Sequence, residues 1–165
     1  MIQLSRPLFI VLLVVCTILI SATTDHLPAQ IASHFGAGGV PNGWMGQNFY
    51  RLFMLAFAVI LPIVIVLTMG VLPRWIPNAI NVPHRAYWLD PVRREATLNY
   101  LAAHACWLGS LMVVFITAIH FLLIEANATQ PPRLPFQLFI TVLVIFVVAM
   151  GLWMGTLVLH FRNRK

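Results

Sequence analysis

Four long apolar runs dominate the chain, and its polar residues collect between them. The runs extend from about Pro7 to Ala22, Phe49 to Leu72, Leu101 to Ile124 and Phe136 to Phe161. A helix needs about 20 mostly apolar residues to cross a hydrocarbon core of roughly 30 Å, and only the first run is shorter. The pattern predicts an all-α membrane protein, with four transmembrane helices and a small structured extracytoplasmic loop. We read residues 1–165 as a single four-helix membrane domain, with residues 24–48 as an outer cap loop and residues 73–100 as a cytoplasmic interfacial loop. The first run follows Arg6 and ends in small residues, as a signal peptide does. The return of the next segment to the membrane favours a retained helix.

Details inside the runs refine this picture. Pro62 lies mid-span; it has no N–H and its ring crowds the carbonyl of Ala58, so a kink is expected. Asp90-Pro91 fits an N-cap followed by proline at the first helical position. A helix from Pro91 to Ile124 would rise about 51 Å and stand out of the membrane at one end. Gly151 and Gly155 form a GxxxG pair, which permits close helix approach.

Composition then removes whole classes. Hydrophobic residues make up 61% of the chain and charged residues 8%. Soluble domains carry about 25% charged residues, so a polar shell is out of reach, and disorder is excluded by the hydrophobicity. The net charge of +6 sits mainly in two short segments beside apolar runs. That placement suits membrane orientation, and no aromatic-basic face suited to nucleic acid is present. Eight of the ten basic residues (Arg6, Arg74, Arg85, Arg93, Arg94, Arg162, Arg164 and Lys165) fall on one predicted side, against Arg51 and Arg133 on the other. Both termini and the middle loop are therefore expected in the cytoplasm. Cys16 and Cys106 lie singly in apolar runs and read as small packing residues.

The outer loop carries two kinds of signal. Leu27, Ile31 and Phe35 recur at helical spacing, whereas Ile31, Ser33 and Phe35 also alternate as in a strand, so both forms stay open. Glycines and Pro41-Asn42-Gly43 then supply turn chemistry. The series Leu27, Pro28, Ile31, His34, Phe35, Gly39, Pro41, Asn42, Gly43 and Trp44 resembles the family called domain of unknown function 1648, across roughly Pro7 to Val66. In the middle loop, Asn81, Pro83, Arg85, Tyr87, Trp88, Leu89, Pro91, Arg93 and Arg94 are similar to a second stretch of that group. The resemblance implies a bacterial membrane protein related to Sdp-type toxin immunity proteins. Asn42 and Gln47 depart from the charged residues that relatives often place there.

Catalytic and metal chemistry find little support in the residues. Asp25, His26, His34 and Glu125 offer metal-ligand types around the outer loops, but their spacing matches no standard metal motif. His104 and His120 are intramembrane polar residues about 24 Å apart along one helix, too far to share an ion. His84, His104 and His160 could gather at the inner end. No nucleophile elbow, zinc-protease motif or paired carboxylates occur. The expectation is a non-enzymatic interaction, immunity or sensing component of the bacterial cell (inner) membrane, without a cofactor. Its environment is the lipid bilayer, and a protein or peptide partner and homo-oligomerisation stay open. The alternative is a small oligomeric transporter or channel component, motivated by Pro62 and the in-span histidines.

Overall fold

The computed structural model describes residues 2–76 and 80–162. Arg164 and Lys165 of the basic tail lie outside the described residues. The elements are α1 (Ile2–Thr24), a hairpin of β1 (Gln30–Phe35) and β2 (Pro41–Gly46), α2 (Gln47–Trp75), a short α3 (Arg85–Trp88), α4 (Arg94–Asn127) and α5 (Phe136–Arg162). Helices α1, α2, α4 and α5 are each long and apolar enough to cross a membrane. The start of α1 and the end of α5 lie at the pole opposite the hairpin. We call the two poles the hairpin end and the basic end.

Helix α4 is the hub. It is the most buried of the four, and α1, α2 and α5 all pack on it. Between lipid-exposed helices the hydrophobic effect gives little attraction, so close contact depends on small residues that let backbones approach. Ala102, Ala105, Cys106 and Gly109 provide that face. A Cβ on Gly109 would fall 2.7 Å from the Phe9 ring and 2.9 Å from Val66, so α1 and α2 both press on this glycine. A Cβ on Gly70 would meet the Ala102 backbone at 3.0 Å. By contrast, a Cβ on Gly151 or Gly155 would meet nothing within 4 Å, so among the described residues the GxxxG pair is not a packing seam.

Helix α2 contains two widened turns, at Ala56–Ile60 and Leu67–Val71. In each, an amide bonds five residues back: Leu61 N–H to the Ala56 carbonyl, and Leu72 N–H to that of Leu67. Pro62 and Pro73 immediately follow. A proline crowds the carbonyl four residues before it, and a widened turn makes room for that clash. The distortion expected at Pro62 therefore lies in the turn before it, and Pro73 repeats the device.

The start of α4 needs a correction. It begins at Arg94, not Pro91. Asp90 does bond backward-looking amides, but its side chain accepts from Val92 N–H at 3.0 Å and its carbonyl from Arg93 and Arg94, forming a separate turn ahead of the helix. At the other end α4 continues through Glu125, expected in a loop, to Asn127. Its 34 residues rise about 50 Å, so it projects beyond the hydrocarbon core.

Candidate functional site

The segment left open between helix and strand is a strand over Gln30–Phe35, paired antiparallel with Pro41–Gly46. Ile31 and Met45 are partners across the pair, and both join the buried core with Phe35. His34, Asn42 and Trp44 are exposed on the hairpin. His34 Nδ1 and Asn42 Oδ1 meet at 2.5 Å, a cross-strand pair over Gly43, whose Cβ would collide with that of His34 at 2.9 Å. Val40 and Trp44 expose 57% and 52% of their surface, large values for apolar residues on an ordered hairpin.

Three anchors hold this cap on the helices. Asn127, the last residue of α4, accepts the Ala32 N–H at 2.8 Å and donates to the Ala32 carbonyl at 2.9 Å. Its amide thus acts as one rung of a third strand and satisfies the otherwise open edge of β1. Leu134, before α5, donates its N–H to the Gly39 carbonyl at 3.0 Å. Gly39 has φ +77, and a Cβ there would lie 2.4 Å from the Leu134 carbonyl oxygen, so both conformation and space require glycine. Gln47 donates from Nε2 to the carbonyls of Thr24 (3.0 Å) and Leu27 (2.6 Å), closing the end of α1. A hydrogen-bonded ion pair between Arg51 and Asp25 lies beside it.

Beneath the cap, His120 of α4 is fully buried between α1 and α2. Its Nε2 is 2.7 Å from Thr23 Oγ1 and its Nδ1 is 2.8 Å from Tyr50 OH. The Thr23 hydroxyl donates to the Leu19 carbonyl at 2.6 Å, so it must accept from the ring. One arrangement then satisfies every group: Tyr50 O–H donates to Nδ1, and Nε2–H donates to Thr23. His120 is held as a neutral imidazole linking three helices.

Residues 11–60 match the family model Domain of unknown function (DUF1648). The DUF1648 segment takes in most of α1, the hairpin and the first half of α2, and so contains Thr23, the His34–Asn42 pair and Tyr50. His120, Asn127 and Leu134, which hold it in place, lie outside it. No curated protein and no solved structure matches the chain.

The middle-loop residues meet α4 and α5 at the basic end. Trp88 donates from its indole to the Phe161 carbonyl at 3.0 Å and stacks on His160, with centroids 5.1 Å apart. His160 stacks on Tyr100 (3.6 Å), Tyr100 on His104 (4.9 Å), and His104 lies tilted against Trp153 (5.3 Å). Trp153 and His104 also exchange hydrogen bonds with each other's backbone carbonyls, at 2.9 and 3.2 Å. This five-ring ladder fixes the loop to both helices. It unites His104 and His160; His84 lies at the start of α3 with a left-handed backbone, φ 57. Arg93 lies 4.2 Å above the Tyr87 ring and pairs with Asp90 at 3.7 Å. Asn81, Pro83, Arg85 and Pro91 are exposed, and Leu89 and Arg94 are half-buried.

The structure brings His34, Gly39, Asn42 and Gly43 together in the cap, with Leu27 and Ile31 buried beneath and Pro28, Pro41 and Trp44 at its surface. Asp25 and His34 are taken up by Arg51 and Asn42. Among the described residues no three histidines, cysteines or carboxylates gather as a metal-ligand group. Sequence reasoning missed Asn127, Tyr50, Thr23 and Tyr100. The available signal for Asn127 was an amide side chain at the end of an apolar run.

Proposed function

We propose that the protein is a non-enzymatic component of the bacterial cell membrane that works by interaction, in immunity or sensing, through its hairpin cap. The observation that carries this reading is the exposure of Val40 and Trp44 on a hairpin clamped from beneath by Asn127, Leu134 and Gln47. Exposed aromatic surface on a rigid support, rimmed by polar groups such as His34 and Asn42, suits a protein or peptide partner. Rigid support also lowers the entropy lost on binding. The cluster of basic residues at the opposite end supports a cytoplasmic location for both termini, with the cap outside.

A small oligomeric transporter or channel component is the second reading. The open Gly151/Gly155 face of α5 favours it, because a second copy could approach there. Against it, His104 and His120 are engaged in closed hydrogen bonds within the chain.

Photo-crosslinking in living cells, from a benzophenone amino acid at position 44, tests the interaction reading. A discrete protein adduct is expected, weakened when His34 and Asn42 are both changed to alanine. Adducts to lipid alone would refute it.

A further inference from the structure

Helices α1 and α2 pack together along Gln47–Ile60 and diverge toward the basic end, while α2 still presses on α4 through the Leu67–Val71 turn. The divergence opens a groove of about 350 Å³ between them. Its floor is Ala102 and Cys106 of α4, its walls include Phe9 and Ile10 of α1 and Val66 and Val71 of α2, and Arg6 and Arg74 stand at its mouth. The two arginines differ in their bonding. Arg74 donates to Glu95 at 3.2 Å and to Asn99 at 2.5 Å, which leaves others of its five donors without a partner among the described residues. Among the described residues Arg6 has neither an ion pair nor a hydrogen-bond partner, and it is exposed.

We propose that this groove is a binding site for an anionic phospholipid, with one acyl chain lying between α1 and α2 and the phosphate held by Arg6 and Arg74. The chemistry is complementary at both ends. The lining is almost wholly apolar and opens sideways into the hydrocarbon layer, and the cationic mouth lies at headgroup depth, where the α1 and α2 spans end. Basic pockets between transmembrane helices recognise anionic headgroups in this way, and a guanidinium matches a phosphate with two parallel hydrogen bonds. A zwitterionic lipid would fit the groove equally but bring its own cation toward the two arginines. The small side chains on α4 have a second role here: Ala102 and Cys106 leave the floor low enough for a chain to lie above it. The site depends on the splay of α1 and α2 and is independent of any partner at the cap.

Spin-label electron paramagnetic resonance on the full chain, reconstituted in phosphatidylcholine vesicles, tests the site. Trace spin-labelled phosphatidylglycerol is compared with spin-labelled phosphatidylcholine for the immobilised fraction. Preferential immobilisation of phosphatidylglycerol is expected. A basic residue near the membrane surface contributes about a five-fold preference for anionic lipid, so Arg6→Gln should lower it by roughly that factor. Arg6 is exposed and has no bond to lose among the described residues, so the change is expected to leave the fold intact. Ile10→Trp, which fills the groove from an exposed wall position, should lower it while leaving both arginines. Arg85→Gln, at the basic end but outside the groove, should lower it distinctly less than Arg6→Gln. Equal losses from Arg6→Gln and Arg85→Gln would reduce the effect to diffuse charge attraction and overturn the site. So would an Ile10→Trp protein that keeps its preference, or a wild-type protein that shows none.

Discussion

Replacing Thr23 by valine or Tyr50 by phenylalanine removes one bond from the buried imidazole of His120 without altering the shape of the site much. Interhelical hydrogen bonds in membranes are worth about 0.6 kcal/mol on average and up to about 1.7. Leaving a buried polar group without a partner costs roughly 1–3 kcal/mol, which places both changes at the upper end of that range. Tyr50→Phe strands Nδ1 as an acceptor, and Thr23→Val strands Nε2–H as a donor, each in a pocket closed to solvent. We expect a loss of about 1–2 kcal/mol from each. His120→Ala removes both bonds, orphans the Tyr50 hydroxyl and leaves a cavity, so about 3 kcal/mol is expected. The two single changes should also be coupled, because the Tyr50 donor fixes the tautomer that Thr23 receives. Steric-trapping unfolding in bicelles gives the free energies, and nitrogen-15 NMR of labelled histidine gives the tautomer. A proton found on Nδ1, or single variants within about 0.3 kcal/mol of the parent, would refute the assigned chain of donors.

Three further predictions concern the cap, the packing and the topology. Asn127→Ala opens the edge of β1 and should cost about 2 kcal/mol locally, read as roughly 30-fold faster hydrogen exchange at the Ala32 amide with the helices still protected. Gly109→Ala forces a Cβ into the Phe9 ring and Val66 and should lower stability by about 1–3 kcal/mol in thermal unfolding in detergent, whereas Gly151→Ala and Gly155→Ala should stay within about 0.5 kcal/mol of the parent or gain slightly. Cysteines introduced at Asn42 and Arg85 should react with impermeant maleimide from opposite sides of the membrane, with the native Cys16 and Cys106 protected by burial; labelling from one side alone would break the four-crossing arrangement.

The parts of the fold legible in the sequence are those written in local pattern. Hydropathy placed all four helices, because a lipid-facing helix must be apolar over its whole length. Turn residues located a structured loop between the first two. Harder to read were features decided by distant partners. For His120 the sequence marks an in-span polar residue but not its partners, since Thr23 and Tyr50 lie 97 and 70 positions away. Arg51 read only as one of two basic residues on the side opposite the other eight, yet Asp25 receives it. Gly151 and Gly155 carried a packing motif, while the glycine on which α1 and α2 press is Gly109, where no motif stands. The strand at Gln30–Phe35 could not be chosen over a helix from periodicity, because its alternation is short and the amide that completes its edge comes from Asn127.

That edge has a consequence for how the protein is made. The matched segment ends at residue 60, but the groups that seat its hairpin are Asn127 and Leu134. At roughly 5–20 residues per second, a ribosome needs several seconds to add them. During that interval the Ala32 amide and carbonyl wait without the Asn127 side chain that satisfies them. The same is true of any shortened chain that stops after the second helix. An expressed fragment bounded by the family match would carry a permanently open strand edge, and such edges recruit one another. The evolutionary unit and the folding unit therefore have different boundaries, and a workable fragment must run at least through Leu134.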